Sequence, residues 1–169
     1  MPRRPQGFTL IELIIVLLLI GILGVTAFSR LSGKSTFSAQ VARDQAISIA
    51  RQIQITAMNQ GNIANAADPD CYLLQVNSTG FGALAKCFDQ SSDHLLASEA
   101  GVKVEAKLDS KLVPGIYMAF DALGRPRANW KADSNRMCVD ADCIVTFTAT
   151  NGADASLCIN GEGYISDCQ

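Results

Sequence analysis

Residues 6–25 read QGFTLIELIIVLLLIGILGV, and this stretch governs how the rest of the chain is interpreted. From position 8 onward, the only residue in it that carries a charge is Glu12. The apolar run is long enough to cross a bilayer as a helix, which takes about 20 residues. Because Arg3 and Arg4 precede it, we expect the N-terminus to stay cytoplasmic and the remainder of the chain to face outward.

Glu12 needs an explanation, because a charge in hydrocarbon costs about 2.5 to 3.5 kcal/mol even on the gentler scales. A cleaved secretory signal peptide has a small-residue cleavage site, which here would be Gly24 or Ala27. This interpretation is less suitable, because Glu12 interrupts the front of the apolar core and the core is long. An ordinary signal anchor fits the hydrophobicity but gives Glu12 no role. If the chain is cut between Gly7 and Phe8, the new amino group lies near Glu12. In an assembly of packed helices, a neighbour's amine then pairs with this carboxylate.

The stretch GFTLIEL, Gly7 to Leu13, resembles the processing motif of type IV pilins and of the related type II secretion pseudopilins. The resemblance implies that a prepilin peptidase cuts after Gly7 and methylates the amine of Phe8. It also implies that Glu12 guides the subunit into a growing filament. The implied partners are other pilin subunits, the prepilin peptidase, the inner membrane and its assembly platform.

Composition divides the chain into a helical and a β-rich part. Residues 39–58 contain no Pro or Gly, and mostly apolar side chains recur there at three- and four-residue steps, which predicts an amphipathic helix. The predicted stripe comprises Val41, Ala42, Gln45, Ala46, Ile49, Ile53 and Ala57. After Gly61, short alternating segments separated by glycine turns indicate antiparallel strands. The predicted fold class is therefore α+β, a long N-terminal helix packed on an antiparallel β-sheet. The resemblance to type IV pilins implies the pilin fold. The predicted segments are a leader peptide (1–7), a transmembrane and assembly helix (8–28), an amphipathic helical half (29–60) and a disulfide-stapled globular domain (61–169).

Six short segments of the globular domain have the alternation or the β-branched content of strands. Glycine turns separate the last three closely, and this spacing predicts an antiparallel meander. The predicted strands are Tyr72–Val76, Val102–Lys107, Ile116–Phe120, Ile144–Thr150, Ser156–Asn160 and Tyr164–Ile165.

All six cysteines follow the apolar segment, and their even number predicts three disulfides in an oxidising compartment. The sequence does not fix the connectivity. A metal site is not expected, because His94 is the only histidine and no CxxC pair occurs. Local order favours the pairs Cys71–Cys87, Cys138–Cys143 and Cys158–Cys168.

The segment 124–131, GRPRANWK, is a candidate ligand patch. It combines three basic side chains, Arg125, Arg127 and Lys131, with the aromatic ring of Trp130. Such a combination can bind a glycan, a phosphate backbone or an acidic partner. The favoured alternative is a hairpin extension whose tryptophan packs on the edge of the domain. Because the net charge is −2 and the pI about 5.3, nucleic acid is not expected as a partner.

No combination of residues in the sequence predicts catalysis, so the protein is not expected to be an enzyme or to carry a cofactor. His94 lies in the polar stretch SSDH and is interpreted as a surface residue. Four aspartates have oxygen ligands suitable for calcium, but the full loop pattern with its bidentate Glu is missing, and a solvated acidic loop is preferred. These aspartates are Asp133, Asp140, Asp142 and Asp154.

Three further stretches resemble the pseudopilin H and fimbrial T group of minor pilins: ARDQAISIARQI (42–53), FDALGRPRANW (120–130) and CINGEGYI (158–165). More narrowly, they resemble the minor pilin of the mannose-sensitive haemagglutinin pilus system. This implies a low-copy subunit that initiates or caps a filament. A major pilin, a secretion pseudopilin, and a tip adhesin or DNA-binding pilin remain as alternatives. The expected location is the inner membrane, with one span, and then an extracellular pilus or a periplasmic pseudopilus.

The mature protein should have a processed, methylated N-terminus and three disulfides. Intact mass spectrometry under non-reducing conditions is expected to give a chain that begins at Phe8, carries one methyl group and lacks six thiol hydrogens. A filament-derived chain that still carries residues 1–7 would contradict the proposed processing.

Overall fold

The computed structural model describes residues 10–32, 34–60, 68–84, 94–108, 111–131 and 134–168. The chain forms two compact units, Met1–Lys34 and Ser35–Gln169. Four predicted features lie outside the described residues: the leader, the cleavage site at Gly7 and Phe8, Cys87 and Asp133.

The first unit contains helix α1, Leu10–Ser32, with Glu12 in its first turn. Every side chain from residue 10 to residue 23 is exposed, including twelve large hydrophobic ones. An all-round apolar surface of this kind is typical of a helix that is buried in a protein core or in a membrane. Among the residues that the structure describes, no helix has both the length and the apolarity required to cross a membrane.

Helix α2, Lys34–Gln60, belongs to the second unit except for its first residue, and it buries one narrow face. Small side chains dominate this face, so the helix backbone can approach the strands closely. Val41 and Gln45 were predicted on this stripe, but both are exposed, Val41 by 61%. The prediction was wrong because the helix advances by about 100° per residue, which carries Val41 out of line with Ala42. The buried face comprises Ala39, Ala42, Ala46, Ile49, Ala50, Ile53 and Ala57.

Within the described residues, ten strands form two five-stranded antiparallel sheets, and a short helix, α3 (Ala97–Ala100), precedes β4. The first sheet has the order β3-β2-β1-β6-β7, and the second has the order β10-β9-β8-β4-β5. The bounds are β1 Leu74–Asn77, β2 Gly80–Gly82, β3 His94–Leu96, β4 Val102–Leu108, β5 Lys111–Val113, β6 Gly115–Phe120, β7 Pro126–Arg127, β8 Cys143–Ala149, β9 Asp154–Ile159 and β10 Ile165–Asp167.

The predicted α+β class is confirmed, and β4, β6 and β8 lie within one residue of the predicted strands. The first predicted strand begins at Tyr72, but β1 begins two residues later, at Leu74, because Pro69–Tyr72 forms a 3-10 turn. The meander of β8, β9 and β10 is also present. The sequence predicted one sheet and the structure has two, because β4 pairs with the distant β8 rather than with β6.

Both sheets contribute to one hydrophobic core with α2. Along β4 and β8 the burial alternates strictly, so alternate side chains point inward. Phe81 of the first sheet packs edge-to-face on Phe147 of the second, with ring centroids 6.0 Å apart. Neither ring is exposed to solvent.

Overpacking the small-residue face of α2 should destabilise the second unit. Ala46 has no exposed surface, so Ala46→Leu is expected to cost about 1 to 3 kcal/mol in the free energy of unfolding. The matched control is Gln45→Leu, which adds apolar volume at the adjacent, exposed position. Denaturant unfolding of the full-length protein in detergent micelles measures both. Equal stability of the two variants would contradict the close approach of α2.

Candidate functional site

The turn between β6 and β7 is organised by one carboxylate, Asp121. Its Oδ1 accepts hydrogen bonds from the backbone N–H groups of Leu123 (2.9 Å) and Arg125 (3.0 Å). The backbone closes the same turn: the N–H of Asp121 donates to the carbonyl of Arg125, and the N–H of Gly124 donates to the carbonyl of Asp121. Gly124 has φ +79°, a conformation that L side chains rarely adopt.

The second oxygen of Asp121 binds two guanidinium groups. Oδ2 accepts from Nε of Arg125 at 3.0 Å and from Nε of Arg127 at 3.2 Å, while Nη1 of Arg127 donates to the carbonyl of Ser134 at 2.9 Å. Burial alone would raise the pKa of Asp121. The hydrogen bonds from the backbone of Arg125 and Leu123 and from both arginine side chains outweigh burial, so the pKa of Asp121 lies below its ordinary value.

The turn between β9 and β10 has the same hydrogen-bond pattern as the 121–125 turn, with Asn160 in the position of Asp121. Asn160 Oδ1 accepts from the N–H groups of Glu162 (3.0 Å) and Tyr164 (2.9 Å). The N–H of Asn160 donates to the carbonyl of Tyr164, and the N–H of Gly163 donates to the carbonyl of Asn160. Each turn thus has a side-chain oxygen at its first residue and a glycine three positions later.

The two turns meet on helix α2. The side-chain amide Nε2 of Gln54 donates to the carbonyls of Gly124 and Gly163, both at 2.7 Å. A Cβ at Gly163 would collide with the carbonyl oxygen of Gly124, so only glycine allows this approach. Nη2 of Arg51 donates to the carbonyl of Ile165 at 2.7 Å, one helical turn away. We call the 121–125 turn, the 160–164 turn and Gln54 the turn junction.

The structure brings part of the predicted ligand patch into the turn junction. The guanidinium groups of Arg125 and Arg127 converge on Asp121. Trp130 is half-buried, and its Nε1 donates to Asp70 Oδ1 at 3.3 Å, which agrees with the favoured alternative of a packed tryptophan. Lys131 is exposed. Ligand binding by these four residues stays a prediction.

Sequence reasoning missed the residues that organise the turn junction, namely Asp121, Asn160 and Gln54. A signal was present in the sequence, because DALGR (121–125) and NGEGY (160–164) share an Asp or Asn followed three positions later by Gly. Asp and Asn favour turns because their side chains bond the backbone two residues on. The meeting of both turns on Gln54 depends on long-range packing that no local pattern shows.

Two disulfides are present within the described residues, Cys138–Cys143 and Cys158–Cys168, and both are among the pairs expected from the sequence. Cys71 is also disulfide-bonded, and the expected partner, Cys87, lies outside the described residues. In the described part of the chain, no three His, Cys, Asp or Glu side chains are grouped so that they could hold a metal ion. His94 lies in β3, while Asp140 and Asp142 are exposed in the loop that the first disulfide closes.

Comparison with known proteins bears on the N-terminal segment. Residues 2–28 match the prokaryotic N-terminal methylation motif. No curated protein and no solved structure matches the chain. The motif match supports a type IV pilin-like prepilin, a class of protein that a prepilin peptidase processes and that interacts with other pilin subunits. Glu12, the predicted assembly residue, is exposed in the first turn of α1.

Replacing Asp121 by Asn should destabilise the turn junction in a pH-dependent way. An amide nitrogen cannot accept the two guanidinium hydrogen bonds, so Asp121→Asn is expected to lose about 1 to 3 kcal/mol of unfolding free energy at neutral pH. Because folding lowers the pKa of Asp121, its ionised form stabilises the wild type above the ordinary value of 3.8, and this contribution is lost as pH falls through the folded-state pKa. The difference between the two proteins should therefore shrink below pH 3.8.

The control for this experiment is Asp140→Asn, an exposed aspartate of the same unit. It is expected to leave the unfolding free energy nearly unchanged. A constant difference between Asp121→Asn and the wild type from neutral pH to well below 3.8 would show that the charge of Asp121 is not what stabilises the turn.

Proposed function

We propose that this protein is a minor pilin of a type IV pilus. The match of residues 2–28 to the methylation motif carries the proposal. The precursor is anchored in the inner membrane by residues 8–28, with its globular part outside the cytoplasm. A prepilin peptidase then cuts between Gly7 and Phe8 and methylates the new amine. The processed subunit enters the filament through the assembly platform.

The exposed apolar surface of α1 supports assembly as the purpose of this helix. All side chains from residue 10 to residue 23 are exposed in the isolated chain, and most are Leu, Ile or Val. In the proposed pathway, lipid covers this surface before assembly, and helices of neighbouring subunits cover it afterwards. Moving from lipid to a helical core gains little hydrophobic free energy, so close packing and polar contacts have to provide specificity.

Glu12 supplies the polar contact in this proposal. A buried carboxylate is very unfavourable without a partner, and the freed amine of Phe8 on the adjacent subunit is a cation of the right kind. Only one axial offset between two α1 helices brings these groups together. The pair therefore selects the register of the filament more than it adds stability.

The minor role rests on resemblance in the three stretches 42–53, 120–130 and 158–165. The turn junction contains residues of the second and third stretches, and its remaining member, Gln54, directly follows the first. We propose a structural role without catalytic activity and without a cofactor. Quantification of subunits in purified pili tests the copy number: a minor pilin should be far below the major subunit. Equal abundance would favour a major pilin.

Neutral replacement of Glu12 should uncouple processing from assembly. Glu12→Ala and Glu12→Gln are expected to be cleaved and methylated, yet to enter filaments more than about tenfold less efficiently, since each leaves a buried amine without its counter-charge. Glu12→Asp keeps the charge and serves as the matched control, with partial recovery expected. Immunoblots of membrane and sheared-filament fractions measure both steps. Normal incorporation of Glu12→Ala would overturn the proposed pairing.

A further inference from the structure

We propose that the Cys138–Cys143 disulfide positions the turn junction, so that docking of the C-terminal end of α2 depends on this disulfide and not on Cys158–Cys168. The disulfide is remote from α2 in sequence. A continuous series of contacts nevertheless connects the two, and each contact lies within the described residues of the second unit.

The first link is the disulfide loop itself, residues 138–143. Both cysteines belong to the core, with Cys138 3% exposed and Cys143 fully buried. Cys138 has φ +58°, and it is the only described residue other than glycine with a positive φ. A positive φ is uncommon for a residue that has a Cβ, and the surrounding structure has to stabilise it. The disulfide to Cys143, at the start of β8, is the nearest covalent constraint on the backbone of Cys138.

The second link joins this loop to both turns. A Cβ at Gly161 would lie 2.8 Å from the carbonyl oxygen of Cys138 and 3.0 Å from Cα of Val139, so the loop and the 160–164 turn touch backbone to backbone. Just before the loop, Nη2 of Arg136 donates to the carbonyl of Gly161 at 2.6 Å. The N–H of Met137 donates at 2.9 Å to the carbonyl of Pro126, next to the 121–125 turn.

The third link is Gln54, whose amide holds the carbonyls of Gly124 and Gly163 together on α2. Beyond Ile53, the final seven residues of the helix contribute only Ala57 to the hydrophobic core. Apolar burial is therefore slight there, and the hydrogen bonds of Gln54 are the main described attachment of this helix end. If the 160–164 turn shifts, Gln54 loses an acceptor and the helix end loosens.

The Cys158–Cys168 disulfide belongs to the two strands that flank the 160–164 turn, and not to the 138–143 loop that contacts this turn. It joins β9 to the residue after β10, where the N–H of Cys168 also donates to the carbonyl of Ser156. It closes a longer loop, with a sequence separation of 10 against 5 for Cys138–Cys143. By loop entropy alone, its removal should cost at least as much global stability. Removing each disulfide separately therefore distinguishes a local effect on the end of α2 from a loss of global stability.

Amide hydrogen exchange of the full-length protein in detergent micelles tests the coupling. In Cys138→Ser with Cys143→Ser, amides of residues 54–60 are expected to exchange about 2- to 30-fold faster, the range for coupling through a packed network. In Cys158→Ser with Cys168→Ser, the same amides should change less than about twofold. Unchanged exchange in the first variant, or equal acceleration in both, would overturn the inference.

A second variant covers the case in which the serine double variant does not fold. Gly161→Ala keeps the disulfide and forces the loop away from the 160–164 turn, so it should accelerate the same amides. The control is Gly152→Ala, which strains a turn at φ +83° where an added Cβ meets nothing. Wild-type exchange in Gly161→Ala would contradict the coupling. The measurement uses the unassembled subunit, so its outcome is independent of the pilin proposal.

Discussion

Between residues 10 and 23, helix α1 exposes apolar side chains all round, and the free-energy cost of hydrating them is the constraint on which the proposed assembly depends. From residue 10 to residue 23, α1 offers no polar face that could turn toward solvent, apart from the single carboxylate of Glu12. In the second unit, by contrast, helix α2 buries its small-residue face against strands of the same chain. The protein therefore combines a folded body with an N-terminal helix whose side chains are exposed from residue 10 to residue 23.

Helix α2 is attached to the folded body by apolar packing along most of its buried face and by polar contacts near its C-terminal end. Alanines on the buried face let the helix approach the sheets closely, and most of the α2 residues in the main core lie between Ala42 and Ile53. Toward the end of the helix, polar contacts replace apolar burial. There, Gln54 and Arg51 donate to carbonyls of two turns and of β10. In the low dielectric of a half-buried site, such charge-assisted and amide hydrogen bonds are stronger than in water.

The elements with strict periodicity were predictable from sequence. The alternation in β4 and β8 located both strands within one residue, and the resemblance at residues 7–13 agrees with the methylation motif match. The division into two sheets was not predictable, because it depends on the pairing of β4 with β8 across about 40 residues of chain. Gln54 was missed for a related reason. A polar residue beside an apolar stripe is expected to face solvent, and only the tertiary fold brings two glycine carbonyls within its reach.

The central claim, that the freed amine of Phe8 pairs with Glu12 of an adjacent subunit, can be tested most directly on the assembled filament. A filament structure that resolves the helical core gives the distance between the Phe8 nitrogen and the nearest Glu12 carboxylate oxygen of a neighbour. The account predicts a separation within about 4 to 6 Å, the range over which opposite charges favour each other's ionised form. A Glu12 side chain in the core that faces only apolar groups, or a terminus beyond that range, would contradict it.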